Sequence, residues 1–213
     1  NLEDISAGEY GKSGSPISVR ASYYYIHFYD LVSYSITAQK SERIENYALR
    51  LNEIINVLKD RTGAKKVNVV AHSMGGLVAR EYLSIFGEES VDKLILIATP
   101  NNGISDKARQ YCDFLGSQKE CEDMTENSVF MKRISTFTPK KARVYTISGT
   151  GCLTDNQDGD GIVKQKNVIL KYAKNYNVNG SCLDVFKISL HQSIIDPNKY
   201  PESYNLIKNI MKE

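Results

Sequence analysis

Residues 67–76, Val67-Asn68-Val69-Val70-Ala71-His72-Ser73-Met74-Gly75-Gly76, constrain this chain more than any other stretch. A short β-prone run ends in a small residue, a serine follows, and Leu77, Val78, Tyr82 and Ile85 then repeat at helical spacing. The order predicts strand, sharp turn, helix, with Ser73 at the apex. So tight a turn strains the backbone of its apical residue, and side chains two positions before and after would collide unless small. Ala71 and Gly75 meet that demand.

The rest of the chain repeats the same rhythm. Ile44, Tyr47, Ala48, Leu51, Ile54, Ile55 and Leu58 form one apolar helical stripe, with Ser41 the expected cap, Glu42 beside it, and Gly63 the stop. Residues 21–29 are aromatic and β-prone, a candidate strand containing His27. Leu94–Ala98 and Arg143–Ser148 read as further strands, and the last strand is either Tyr176–Val178 or Leu183–Ile188. A closing helix is expected from Glu202 to Lys212. Strands alternating with helices argue a mostly parallel, doubly wound α/β sheet, and 213 residues without repeats or linkers argue one domain over 1–213.

Residues 100–140 break the pattern and read as a helical insertion above the carboxyl edge of the sheet, either a lid or a disulfide-pinned connection. Its apolar residues Phe114, Leu115, Val129, Phe130 and Met131 are candidates to border a pocket for a flexible apolar chain. A formal charge of +2 gives no argument for nucleic acid or an anionic surface. No run approaches the ~18 apolar residues of a membrane-crossing helix. The opening Asn1-Leu2-Glu3-Asp4-Ile5-Ser6 is neither a leader nor a start methionine, so a processed or trimmed chain is expected. Four cysteines in loop-like segments favour disulfides and a secreted or extracytoplasmic setting, or a thermophile cytoplasm. Spacing predicts the pairs Cys112–Cys121 and Cys152–Cys182, with four free buried thiols as the alternative. No cysteine pair or histidine cluster has zinc-ligand spacing, and no cofactor is expected.

Ala-His-Ser-Met-Gly-Gly over 71–76, preceded by a helix and Thr62-Gly63-Ala64-Lys65-Lys66-Val67 and followed by Leu77-Val78-Ala79-Arg80, resembles the small bacterial triacylglycerol lipases whose nucleophile elbow begins with Ala. More widely it is similar to the lipase and esterase branch of the α/β-hydrolase superfamily, including its GPI-inositol deacylase-like members. The resemblance covers roughly residues 21–213 and is sharpest over 41–104. It implies an α/β-hydrolase fold, an ester or lipid substrate, and the chain order serine, acid, histidine.

That order makes Ser73 the candidate nucleophile and His191 the candidate base. His27 precedes the serine, and His72 sits beside it on a turn where neighbours are expected to point apart. The family's frame for the acid is Asp-Gly followed by two aliphatics. Asp160-Gly161-Ile162-Val163 fits it, with Asp158 the alternative. A rival reading takes Asn156, Asp158, Asp160 and Gly161 as the opening of a calcium loop, but Asn167 stands where a bidentate glutamate is needed. The backbone N–H of Met74 is the expected oxyanion donor. In the resembling lipases the second donor comes from a His-Gly-containing loop upstream of the strand read at 21–29, and residues 1–20 contain no hydrophobic strand ending in His-Gly. The first core strand and oxyanion loop are therefore expected to be missing from this chain, supplied by a lost N-terminal segment or a second chain. The reading is a carboxylic ester hydrolase working through an acyl-serine. The alternatives are an amide or thioester hydrolase or acyltransferase with the same triad, and a catalytically silent binding protein.

Overall fold

The computed structural model describes residues 2–4, 18–29, 34–38, 41–105, 117–182 and 189–213. Its centre is a four-stranded, wholly parallel sheet built from β5 (Val67–His72), β6 (Val91–Ile97), β7 (Arg143–Thr150) and β10 (Lys174–Asn179), in the order β10-β7-β6-β5. The expected strand Tyr176–Val178 falls within β10. Residues 183–188 lie outside the described residues.

Strand β6 shows why the sheet is covered on both faces. Side chains alternate across a strand, and Leu94 and Leu96 enter one apolar cluster while Ile95 and Ile97 enter another. The first cluster takes in α1 (Ile44–Thr62) and α2 (Met74–Phe86); the second takes in Ile210 of α7 (Pro201–Lys212). Each such buried aliphatic side chain contributes about 1.5–3 kcal/mol. Strand β5 is different: Asn68 and Val70 are exposed, the latter at 44%. Among the described residues no strand pairs with the outer edge of β5.

Three two-stranded sheets occur among the described residues besides the central one, two of them before α1. Leu2–Asp4 (β1) pairs in parallel with Ser18–Arg20 (β2). Tyr25–Tyr29 (β3) forms an antiparallel pair with Tyr34–Ala38 (β4), so the strand expected within 21–29 exists but lies outside the central sheet.

The start of α1 departs from expectation. Ser41 does not cap it; Arg43 holds the capping position without a side-chain bond. The cap comes instead from eighty residues downstream, where Asp123 Oδ2 accepts the Ile44 N–H at 2.9 Å and Oδ1 accepts from Arg43 at 2.9 Å. A carboxylate at a helix N-terminus satisfies an orphan donor and opposes the helix dipole. At the other end Gly63 takes the left-handed conformation (φ 70°) and returns its N–H to Lys59.

Asp123 belongs to the insertion, whose described part contains α3 (Gln118–Met124) and α4 (Val129–Ser135). Cys121, Met124, Phe130, Met131 and Ile134 all lie in the first core cluster. Met131 is therefore a packing residue; Phe130, also buried, and exposed Val129 line a cleft apart from Ser73, Asp160 and His191, and Phe114 and Leu115 lie outside the described residues. Asp123→Ala should lower stability by about 1–2 kcal/mol, since it strips a buried cap. Arg43→Ala should cost less than about 0.5 kcal/mol, because its ion pairs are half exposed. Denaturant midpoints of the two variants check the ranking, and equal losses would refute it.

Candidate active site

Ser73 occupies the turn between β5 and α2 with φ 53° and ψ −131°, a conformation that L-residues rarely adopt. Two bonds fix it: its N–H donates to Ile97 O at 2.9 Å, and its carbonyl accepts from Gly76 N at 3.0 Å. The crowding is not where the sequence suggested. A Cβ on Gly75 would make only ordinary contacts, 3.5 Å from the Tyr23 hydroxyl and 4.0 Å from Ala71 Cβ. A Cβ on Gly76 would lie 2.0 Å from Thr99 Oγ1 and 2.8 Å from Thr99 Cβ. It is Gly76 that lets α2 approach the end of β6.

The structure brings Ser73, His191 and Asp160 together. His191, on the short helix α6 (Leu190–Ser193), is 1% exposed, and Asp160 is fully buried. His191 Nδ1 lies 2.8 Å from Asp160 Oδ2, and His191 Nε2 lies 2.8 Å from Ser73 Oγ. Asp160 Oδ1 accepts the N–H groups of Ile162 (2.9 Å) and Val163 (2.7 Å), which fix the orientation of the carboxyl group. With that acceptor on one side, Nδ1–H donates, and Nε2 is free to accept from the serine hydroxyl.

Asp158, the alternative acid, is exposed and accepts the Gly151 N–H at 2.7 Å. It reaches neither His191 nor Asp160. Asp158 and Asp160 thus serve different partners instead of converging as cation ligands would. His27 lies in the separate β3–β4 hairpin.

The loop carrying Asp160 is anchored from both sides. Gly161 N donates to Thr154 Oγ1 at 2.9 Å, within a small hairpin of β8 (Cys152–Thr154) and β9 (Gln157–Gly159). Cys152 and Cys182 form the expected disulfide, and Cys182 Sγ lies 3.8 Å from the Asp160 carbonyl oxygen. Cys121 is also disulfide-bonded, and its expected partner Cys112 lies outside the described residues.

Met74 opens α2, where the first N–H groups lack intrahelical acceptors, so its N–H sits beside Ser73 at the positive end of the helix dipole. A separate cleft of 410 Å³, lined by Arg43, Glu45, Asp123 and Arg133 among others, contains none of Ser73, Asp160 or His191.

Sequence reasoning missed His72. Its ring does not point away from the site: His72 Nε2 lies 2.7 Å from the His191 carbonyl oxygen, and the two rings are 4.9 Å apart. A carbonyl only accepts, so His72 Nε2 carries its proton. Desolvation first, and the neighbouring His191 second, push the His72 pKa down to about 4. The only signal in the sequence was adjacency to Ser73.

A histidine held neutral by the fold binds protons more readily once unfolded. Its stabilising effect is therefore complete above its ordinary value of 6.5 and is lost as pH falls toward about 4. The loss amounts to at most about 3 kcal/mol. His72→Gln should flatten the fall in unfolding free energy between pH 7 and pH 4.5. Parallel pH profiles for the two proteins would show that His72 does not carry it.

Known proteins resemble this chain in sequence or in fold. Over 76 residues, 34% of this chain, the sequence is 34% identical to phospholipase A(1) LCAT3 of Arabidopsis thaliana; the match spans 17% of that protein. The structure is similar to mature lipase BlEst2 of Bacillus licheniformis, with a TM-score of 0.57 and 19% identity over 80% of this chain and 79% of that one. A gene product of Listeria innocua matches with a TM-score of 0.53 and 16% identity, over 95% of this chain and 78% of that one. At these identities the structural likeness is one of fold. The model of a family described as an α/β hydrolase of unknown function (DUF915) matches residues 17–177, which include Ser73 and Asp160 and stop short of His191. With a strand–turn–helix elbow set in a parallel sheet, and that match over most of its length, the chain belongs to the DUF915 family of α/β hydrolases.

Proposed function

We propose that this protein hydrolyses carboxylic esters, with Ser73 as nucleophile, His191 as general base and acid, and Asp160 as the group that orients His191. One observation carries the reading: an unbroken hydrogen-bond run from Asp160 through His191 to Ser73, 2.8 Å at each step, assembled from three distant chain segments. A serine hydroxyl is a weak nucleophile until a positioned base takes its proton, and this run supplies one.

In the first half-reaction Ser73 Oγ bonds to the ester carbonyl carbon while its proton passes to His191 Nε2. The carbonyl oxygen becomes an oxyanion, for which Met74 N–H is a donor. Such donors contribute about 3–4 kcal/mol each to the transition state. Asp160, held by two backbone N–H groups, balances the imidazolium. The tetrahedral carbon then expels the alcohol, which leaves with the proton from His191. Water repeats the sequence on the acyl-serine, giving the acid and free Ser73. The named activities of the Bacillus lipase and the Arabidopsis phospholipase support an ester, and specifically a lipid, as the substrate class.

Ser73→Ala should abolish labelling by a fluorophosphonate probe and cut p-nitrophenyl ester turnover about 10⁴-fold or more, with the fold intact. Turnover equal to the parent would sink the assignment. Asp160→Asn should reduce kcat by about 10⁴-fold by fixing the wrong tautomer of His191, while Asp158→Asn should change little. The reverse ranking would move the acid to Asp158.

The disulfide closes a loop with a sequence separation of 30 and is worth roughly 3.5 kcal/mol in the chain-entropy model. Because Cys182 touches the Asp160 main chain, the double variant Cys152→Ser, Cys182→Ser should lose turnover at temperatures well below its own unfolding transition. Activity that tracks the folded fraction alone would show the bridge to be a stabiliser and nothing more.

A further inference from the structure

We propose that His72 is a positioning residue: its ring holds the main chain of His191 and thereby keeps the His191 imidazole in line with Ser73. The inference rests on the ester-hydrolase reading and adds a residue to it.

His191 has four polar atoms, and each has a partner. Its N–H donates to the Asp160 carbonyl at 3.0 Å, and its Nδ1 bonds to the carboxylate of the same residue. Its Nε2 faces Ser73, and its carbonyl oxygen accepts from His72 Nε2 at 2.7 Å. Two of these bonds come from the Asp160 loop and two from adjacent residues at the end of β5. Without His72, the only hydrogen bond from the elbow to residue 191 would be the reactive one, which changes character with every proton transfer. His72 supplies a second attachment that does not take part in the chemistry.

The attachment is well suited to its place. His72 lies on β5, in register with Ile97 of β6, so its backbone is part of the sheet. Its ring lies 4.9 Å from a group that must become cationic during turnover, which calls for a neutral donor. Desolvation keeps His72 neutral, and the groups acting on it are His191 and Asp160. Lysine or arginine at this position would donate the same bond and oppose the imidazolium. A reacting group displaced by about 1 Å can lose on the order of 10²-fold in rate.

The test compares His72→Phe, which keeps a ring and removes the donor, with His72→Gln, whose amide nitrogen falls near the position of Nε2. Steady-state ester hydrolysis, fluorophosphonate labelling and thermal unfolding are measured on each beside the parent. For His72→Phe, kcat should fall between about 10-fold and 10²-fold with KM within about twofold and cooperative unfolding retained. His72→Gln should recover most of kcat. Parental kcat in the phenylalanine variant, or equal losses in both variants, overturns the inference. If His72→Phe does not fold, the comparison is made with His72→Asn, whose shorter amide cannot reach the carbonyl: loss in Asn with recovery in Gln supports the role, and equal rates overturn it. A parent protein that neither labels nor turns over ester overturns the ester-hydrolase reading itself, an outcome distinct from these.

Discussion

The backbone of Ser73 cannot relax without dismantling its surroundings, and much of the molecule follows from that constraint. A residue at φ 53° and ψ −131° stores strain of order 1–3 kcal/mol, which persists only where neighbours over-determine it. Here they do. The Ser73 N–H is taken by the end of β6, and Gly76 lies so close to Thr99 that no Cβ fits between them. Helix α2 then runs back through the first core cluster with Leu77, Val78, Tyr82 and Leu83 buried. Relieving the turn would mean pulling this helix off the sheet, at a cost several times the strain released. The serine is held out at the strand end because the core has no cheaper arrangement.

A second set of contacts holds the insertion against the same two helices, and it is mainly polar. Asp123 caps α1, Tyr47 bonds to Glu120, and Arg133 pairs with Glu81 on α2 and Glu45 on α1. Buried Arg80 donates to Asn101 and to the carbonyl of Ile134. Apolar contact alone would let α3 and α4 slide over a greasy face at little cost. Buried charges allow no such sliding, because a shift of one residue strands them unpaired at roughly 3–5 kcal/mol each. These contacts therefore fix register more than they add stability. Through Asn101, which also donates to Val168 O, the same network reaches the segment that follows the Asp160 loop.

Legibility in the sequence divides along contact distance. The stripe of α1, the elbow at Ser73 and the buried alternation of β6 are local patterns, and all three could be read. Asp160 and His191 could be nominated only because the family resemblance implied their order; no local pattern places Asp160 against a histidine thirty-one residues later. Readings failed where a distant partner overrode a local one. Ser41 looked like a cap, but Asp123 reaches the helix first. Gly75 looked like the indispensable glycine, but Thr99, on another strand end, makes it Gly76. Residues 21–29 do form a strand, yet its partner is 34–38 and nothing in the composition announces that. Phe130 and Met131 had the chemistry of a pocket wall, and their burial in the core is a fact of tertiary packing.

His72 exposes the limit of reasoning from adjacency. Neighbouring side chains on an extended strand do point to opposite faces, and on that ground a histidine next to the serine should leave the site. At the end of β5 the strand stops and Ser73 enters the left-handed region, so the alternation no longer applies across the pair. Both side chains then converge on residue 191 from the same strand end, one on its ring and one on its main chain. The parallel topology makes this possible: β5 and β7 end at the same edge of the sheet, and the segment after β10 returns there with α6. A site assembled from strand ends is rigid where it meets the sheet and depends on cross-loop bonds elsewhere. The Cys152–Cys182 bridge, the Asp160 loop amides and the His72 ring are those bonds here, and each meets either His191 or the Asp160 that is bonded to it.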